Sequence, residues 1–208
     1  MSFTLTIDDG TFLVQLARDT VTNYLKTGKR IKVPENTPKK LFERCGVFVT
    51  INQLENGDKQ LRGCIGFPYP TKPLVEALIE SAIEAATQDP RFYPLSVHEL
   101  ESVVFEVSVL TPPKEVNVQK PVEYLDKIKV GEDGLIVEKG AYKGLLLPQV
   151  PVEWGWDEEE FLCQCCIKAG LPPDSWLTPG TKVYTFQALV FEEETPKGKI
   201  RQLQLSKN

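Results

Sequence analysis

The 208-residue chain is short of several things. It has one histidine, His98, so a nucleophile that needs an imidazole base has a single candidate. It has no run approaching the roughly 20 apolar residues of a membrane span, so no membrane partner is expected. Its first residues, MSFTLTIDDG, lack the basic start and apolar stretch of a signal peptide, and neither end carries a lipidation signal. Five cysteines cannot all pair internally, and reduced thiols in a cytoplasmic chain are the expectation. Positive charge is in deficit, with 24 Lys and Arg against 29 Asp and Glu. Duplex binding calls for a basic stripe. Lys26, Lys29, Arg30 and Lys32, followed by Lys39 and Lys40, are better read as a solvated loop, and nothing asks for nucleic acid. A Walker loop, a Gly-x-Gly-x-x-Gly turn and a Gly-x-Ser-x-Gly elbow are all missing, and no cofactor is expected.

What is present is ordinary globular composition, 41% hydrophobic and 25% charged. A chain of this length buries roughly 70% of its unfolded surface, enough for a sizeable core. Asp8 and Asp9 are candidate caps for a first helix. Its stripe is Phe12, Leu13, Leu16, Ala17, Val21, Tyr24 and Leu25, and Gly28 is its stop. Val47–Leu54 and Lys59–Phe67 read as strands joined by a turn at Glu55-Asn56-Gly57-Asp58. Thr71 is a candidate cap for a second helix with Pro73 in its first turn. The apolar stripe there is Val75, Ile79, Ala82, Ile83 and Ala86. Ser102–Leu110 alternates, with Val103, Phe105, Val107 and Val109 on one face and Val104, Glu106, Ser108 and Leu110 on the other. A short helix around Val122–Ile128 and a glycine-containing β segment, Gly131–Leu147, follow. A helix runs from Asp157 to Gly170, and Lys182–Glu194 reads as one long strand before a frayed tail. Without strict βαβ alternation, this order predicts an α+β fold of mainly antiparallel sheets with flanking helices.

The segment most suggestive of chemistry is Leu61-Arg62-Gly63-Cys64-Ile65-Gly66. Read as a regular strand, it sends Leu61, Ile65 and Phe67 into a core, and Arg62, Cys64 and Gly66 to the other side. A guanidinium on the same face as a thiol favours thiolate, and the glycines leave room for a ligand or a neighbouring backbone. Small buried cysteines that merely pack show the same residue type. His98 and Glu106 are the candidate proton carriers. Cys163 and Cys166 share a helical face, but zinc needs four ligands, usually from two pairs. Cys45 and Cys64 do not supply the second pair, so core cysteines and no metal are expected. Glu158–Glu160 and Glu192–Glu194 read as solvated acidic runs, and Trp154 and Trp156 as core.

The hexapeptide Leu61–Gly66 resembles the signature of the AMMECR family. Asp89-Pro90-Arg91-Phe92 with Pro94-Leu95, Glu106–Leu110, Gly134–Val137 and Leu147–Val150 match in family order. Glu153, Gly155-Trp156, Phe161-Leu162 and Lys168–Leu171 continue the series. The resemblance implies a single domain over residues 1–208, built as two lobes around a cleft with the hexapeptide near it. It adds Asp89 and Arg91 to the motif residues. It also implies a pathway association with Memo-type and radical-SAM proteins, and it brings no established activity. Two readings therefore stand. In one, a Cys64 thiolate works in the inter-lobe cleft with Arg62, Glu106 and His98. In the other, a non-enzymatic ligand-binding or protein-adaptor module uses the Leu61–Gly66 surface for a small molecule or a protein partner.

Overall fold

A computed structural model describes residues 3–55 and 57–203. Along the chain come α1 (Ile7–Thr27), β1 (Gly46–Glu55), β2 (Asp58–Phe67), α2 (Leu74–Thr87), β3 (Val103–Leu110) and β4 (Lys114–Glu115). Next are α3 (Tyr124–Lys127), β5 (Gly134–Lys139), β6 (Tyr142–Leu146), α4 (Gln149–Trp154) and α5 (Glu158–Lys168). Last are β7 (Lys182–Phe186), β8 (Ala188–Glu193) and β9 (Ile200–Leu203). Every strand pairing whose register is described is antiparallel, and the α+β expectation holds. No helix among the described residues is long and apolar enough to cross a membrane.

The chain divides into two compact units. The first, residues 1–110 and 189–203, is a sheet ordered β2-β1-β3-β8-β9. Period-two patterning gives β1 and β3 one wholly buried face, made of Val47, Val49 and Ile51 with Val103, Phe105, Val107 and Val109. Helix α2 lies across β1 and β2, and α1 across β3 and β9. The α2 stripe Val75, Ile79, Ala82, Ile83 and Ala86 is buried as its 3.6-residue spacing predicts. The second unit is a sheet ordered β4-β7-β5-β6. Its core joins Leu135, Val137 and Val183 to Phe161, Leu162, Cys165 and Cys166 of α5 and to Trp176. Cys165 is small because α5 crosses close above β6. A Cβ on Gly144 would stand 2.4 Å from the Ala169 nitrogen, and the Cys165 Sγ lies 3.6 Å from the carbonyl oxygens of Leu135 and Gly144. Burial pushes that thiol up to about 12.

Several sequence expectations are corrected. The cap of α1 is Thr6. Its hydroxyl accepts the Asp9 N–H while the Asp9 carboxylate accepts the Thr6 N–H, so Asp9 is the far half of a capping box. Gly28 does end that helix, in the left-handed conformation at φ 69°. Pro73, not Thr71, precedes α2 and provides no side-chain cap. The run Lys182–Glu194 is two strands in two sheets. At Gln187 the chain leaves the β7 ladder, its N–H and C=O bonded to Thr111. A continuous β-rich run records extended backbone but not which sheet receives it. The segment after Thr195 is not all frayed, because Ile200–Leu203 pairs with β8. Helix α4 escaped the sequence reading, which assigned no element between Leu147 and Asp157. Of the turn expected at residues 55–58, Asn56 lies outside the described residues.

The acidic run is the largest reversal. Glu192 and Glu193 are buried, not solvated. Glu193 sits between α1 and β3, where Arg18 donates to both of its carboxylate oxygens and Phe105 N–H to one. Glu192 is ion-paired with Lys59 and Arg201. Buried charges persist when paired and hydrogen-bonded, which composition does not reveal.

Candidate functional site

The hexapeptide occupies the outer strand β2. Its register against β1 is regular from Phe67 to Gly63, then slips: Ile51 faces Gly63, but Asn52 faces Leu61. Arg62 is the extra residue of a β-bulge. The bulge reverses the side-chain phase and corrects the expected geometry. Gly63, Ile65 and Phe67 share the helix-packed face with Ile51, Val49 and Val47. Leu61 falls on the other side with Cys64 and is 41% exposed rather than core. Gly63 is required by α2, since a Cβ there would lie 2.1 Å from the Ala85 carbonyl oxygen.

Arg62 turns to the loop after α2 instead of to the thiol. Its Nε donates to Glu99 Oε1 at 2.8 Å and its Nη1 to the Tyr93 carbonyl at 2.9 Å, with the guanidinium 5.9 Å from the Phe92 ring centre. Glu99 is fixed in turn by accepting the Ser96 N–H in a capping box. Burial works to raise the Glu99 carboxyl, and the Arg62 and Ser96 bonds override it, so its pKa is lowered.

The cation that acts on Cys64 is Arg91. As part of an outer strand, the Cys64 N–H has no strand to meet and donates to Asp89 Oδ2 at 2.8 Å. Arg91 grips both Asp89 oxygens, with Nε at 2.9 Å and Nη2 at 2.7 Å, and Nη2 also reaches the Cys64 carbonyl at 3.4 Å. The Asp89–Arg91 pair thus supplies one acceptor and one donor to the strand edge, the pattern a neighbouring strand would offer. The Arg91 bond holds the Asp89 carboxyl far below the ordinary carboxylate range against the opposing effect of burial, with help from the Cys64 N–H.

A depressed carboxyl stabilises the fold above its unfolded pKa of about 3.9, and that contribution fades as pH falls toward the folded value. Asp89→Asn is therefore expected to lose about 2 kcal/mol at pH 7, with the deficit shrinking between about pH 4 and pH 2. Urea unfolding of both proteins at pH 7 and pH 3 measures it. A deficit that does not change with pH would show that the charge is not what Asp89 contributes.

On the face turned away from the helices, Cys64, Thr50 and Glu106 form one row across β2, β1 and β3. Thr50 Oγ1 donates to Cys64 Sγ at 3.2 Å. Burial pushes the Cys64 thiol up, opposed by the Thr50 hydroxyl and the Arg91 charge and reinforced by Glu106 and Asp89. Arg62 is bonded to Glu99 and the Tyr93 carbonyl, so the expected pairing of Cys64 with Arg62 is corrected to one with Arg91, and the thiol is pushed up rather than down. Glu106 is also raised, by burial and by Glu192, against Lys59 and Ser108. Glu106 thus joins the row, as its place opposite the apolar set of β3 suggested. His98 is exposed in the turn Val97–Glu101, and no hydrogen bond or ion pair joins it to Cys64 among the described residues. The sequence reading missed Glu99 and Thr50. Glu99 was visible as the fourth residue of Ser96-x-x-Glu99. Thr50 needed the strand register. Among the described residues no group of three or more His, Cys, Asp or Glu could hold a metal ion, and Cys163, Cys165 and Cys166 are free thiols.

Comparison with known proteins places these features in a family. The AMMECR1 family model matches residues 14–191. A protein of Pyrococcus abyssi is 59% identical over 94% of this chain and 96% of its own length. One of Thermococcus gammatolerans is 60% identical over 92% and 94%. The crystal structure of the uncharacterised protein PH0010 from Pyrococcus horikoshii has a TM-score of 0.82 and 57% identity, covering 97% of this chain and all of that one. The matched span takes in the hexapeptide, the Asp89–Arg91 brace, the Cys64–Thr50–Glu106 row and α5, and the chain belongs to the AMMECR1 family.

Proposed function

We propose that the protein is a non-catalytic binding module in which the Leu61–Gly66 strand and the loop from Asp89 to Glu99 form a rigid wall for a protein partner. One observation carries the reading: the charged side chains of this segment are engaged in holding backbone. Arg62 is committed to Glu99 and a loop carbonyl, Asp89 to the Cys64 N–H, and Arg91 to Asp89. What the segment leaves to solvent includes apolar and aromatic groups, Leu61 at 41% exposure, Tyr93 at 90% and Val97 at 38%. A tyrosine on a braced loop loses little conformational freedom when covered, which suits an interface anchor. A thiol raised by burial stays protonated at neutral pH and is a weak nucleophile.

A second reading, thiol chemistry at Cys64, draws on the Thr50 hydroxyl at Sγ and on Glu106 in the same row. Alkylation with iodoacetamide at pH 7 separates the two. Cys64, followed by peptide mass, is expected to react more slowly than glutathione, and Tyr93→Ala with Leu61→Asp is expected to abolish partner recovery from native extract without moving the thermal midpoint. Faster alkylation than glutathione would overturn the binding reading in favour of the thiol, and an unchanged partner profile would overturn the wall.

A further inference from the structure

The second unit carries an aromatic surface that the hexapeptide reading does not use. Helix α4 ends at Trp154, and Gly155 takes the left-handed conformation at φ 67°. The reversal brings Trp156 against Trp154, with ring centres 6.2 Å apart and planes inclined by 18°. Trp156 packs on the core of its unit. Trp154 is 71% exposed. One ring thus backs the other, and a large apolar face is held open to solvent, where tryptophan is otherwise mostly covered.

The charge next to the pair along the chain has one sign. Glu153 precedes the pair and Asp157, Glu158, Glu159 and Glu160 follow it, with no Lys or Arg between Lys143 and Lys168 in the sequence. Asp157 caps α5 through the Glu160 N–H, Glu158 accepts from Val130 N–H, and Glu160 accepts from Gln164. Glu153 and Glu159 are exposed and enter no ion pair or hydrogen bond among the described residues. No cation lies over either tryptophan among the described residues, although Arg18, Arg62, Lys72 and Arg91 all lie over phenylalanine rings elsewhere. An indole face is the best aromatic partner for a guanidinium, and adjacent carboxylates attract the same cation while repelling phosphate. Arginine suits the site better than lysine, because its planar group stacks on the ring and can bond a carboxylate at its edge.

We infer that the Trp154 face, with the unpaired Glu153 beside it in sequence and Glu159 at the start of α5, docks an arginine-bearing basic segment of a partner protein. The exposed ring supplies contact area, and the unpaired carboxylates supply orientation and salt dependence.

The test uses the full chain with an acetylated, amidated (Gly-Arg)4 peptide, followed by tryptophan fluorescence and calorimetry at low and physiological salt. Saturable binding is expected, weaker for (Gly-Lys)4 and absent for (Gly-Glu)4. Trp154→Ala is expected to weaken it about tenfold, Trp154→Phe to retain part of it, and Glu153→Gln with Glu159→Gln to weaken it and flatten its salt dependence. Circular dichroism verifies that the exposed substitutions leave the fold intact. Equal binding by wild type and Trp154→Ala would reduce the effect to diffuse charge attraction and overturn the inference. So would self-association that Trp154→Ala abolishes without peptide binding, since the occupant would then be a second copy of the chain.

Discussion

Gly63→Ala is expected to destabilise the fold by about 3 kcal/mol, at the upper end of the cost of overpacking a well-packed interior. The reason is backbone on backbone. A Cβ at Gly63 would meet the Ala85 carbonyl oxygen at 2.1 Å, and neither a strand nor the last turns of α2 can yield as a flexible side chain would. Either α2 lifts from β1 and β2, exposing part of the stripe from Val75 to Ala86, or β2 shifts and breaks the register that puts Cys64 opposite Thr50. Urea denaturation measures the loss, and a transition coincident with wild type would mean that the helix and strand do not approach so closely. Because the same contact sets the height of α2, Gly63→Ala is also expected to weaken the Asp89 bond to Cys64 N–H.

Arg18→Ala is expected to cost about 4 kcal/mol, the range seen when one partner of a buried ion pair is removed. Both side chains are almost sealed, at 8% and 3% exposure. Arg18 also donates to the carbonyls of Leu100 and Val103 at 3.0 and 2.7 Å and lies 4.7 Å from the Phe105 ring centre. Its loss strands a carboxylate and two carbonyl groups in the interior. Replacing both partners, Arg18→Met with Glu193→Leu, removes the stranded charge and is expected to recover part of the stability. The Phe105 N–H and the two carbonyls remain unsatisfied in that variant, so recovery is incomplete. Equilibrium unfolding of the two single variants and the double variant measures the coupling. A cost below about 1 kcal/mol for Arg18→Ala would mark the pair as energetically equivalent to a surface contact.

These two sites differ in how much of them could be read beforehand. Gly63 stood in a strand and invited the expectation of a close approach, which proved to be to α2. Glu193 was read as solvated, because three consecutive glutamates look the same whether they face water or a buried guanidinium 175 residues away in sequence. The same limit applied to Arg62. Its strand was read correctly and its neighbours were not, because one inserted residue reversed the side-chain phase, and a bulge leaves no mark in the local pattern when both faces of the strand are partly open.

Short-range rules account for what the sequence determined on its own. Hydrophobic periods of 2 and 3.6 gave β1, β3, α1 and α2, turn and cap residues gave β2, α5 and the stop at Gly28, and the order of elements gave the antiparallel α+β class. The ordered motifs gave the family. Tertiary structure alone decided that Lys182–Glu194 divides between two sheets, that Arg91 rather than Arg62 acts on Cys64, that Glu193 is buried and that Trp154 is not. Each of those depends on which distant segment arrives at a given face or strand edge. Local patterning fixes the direction of a side chain along its own element, but its partner and its contact with water are set by long-range packing.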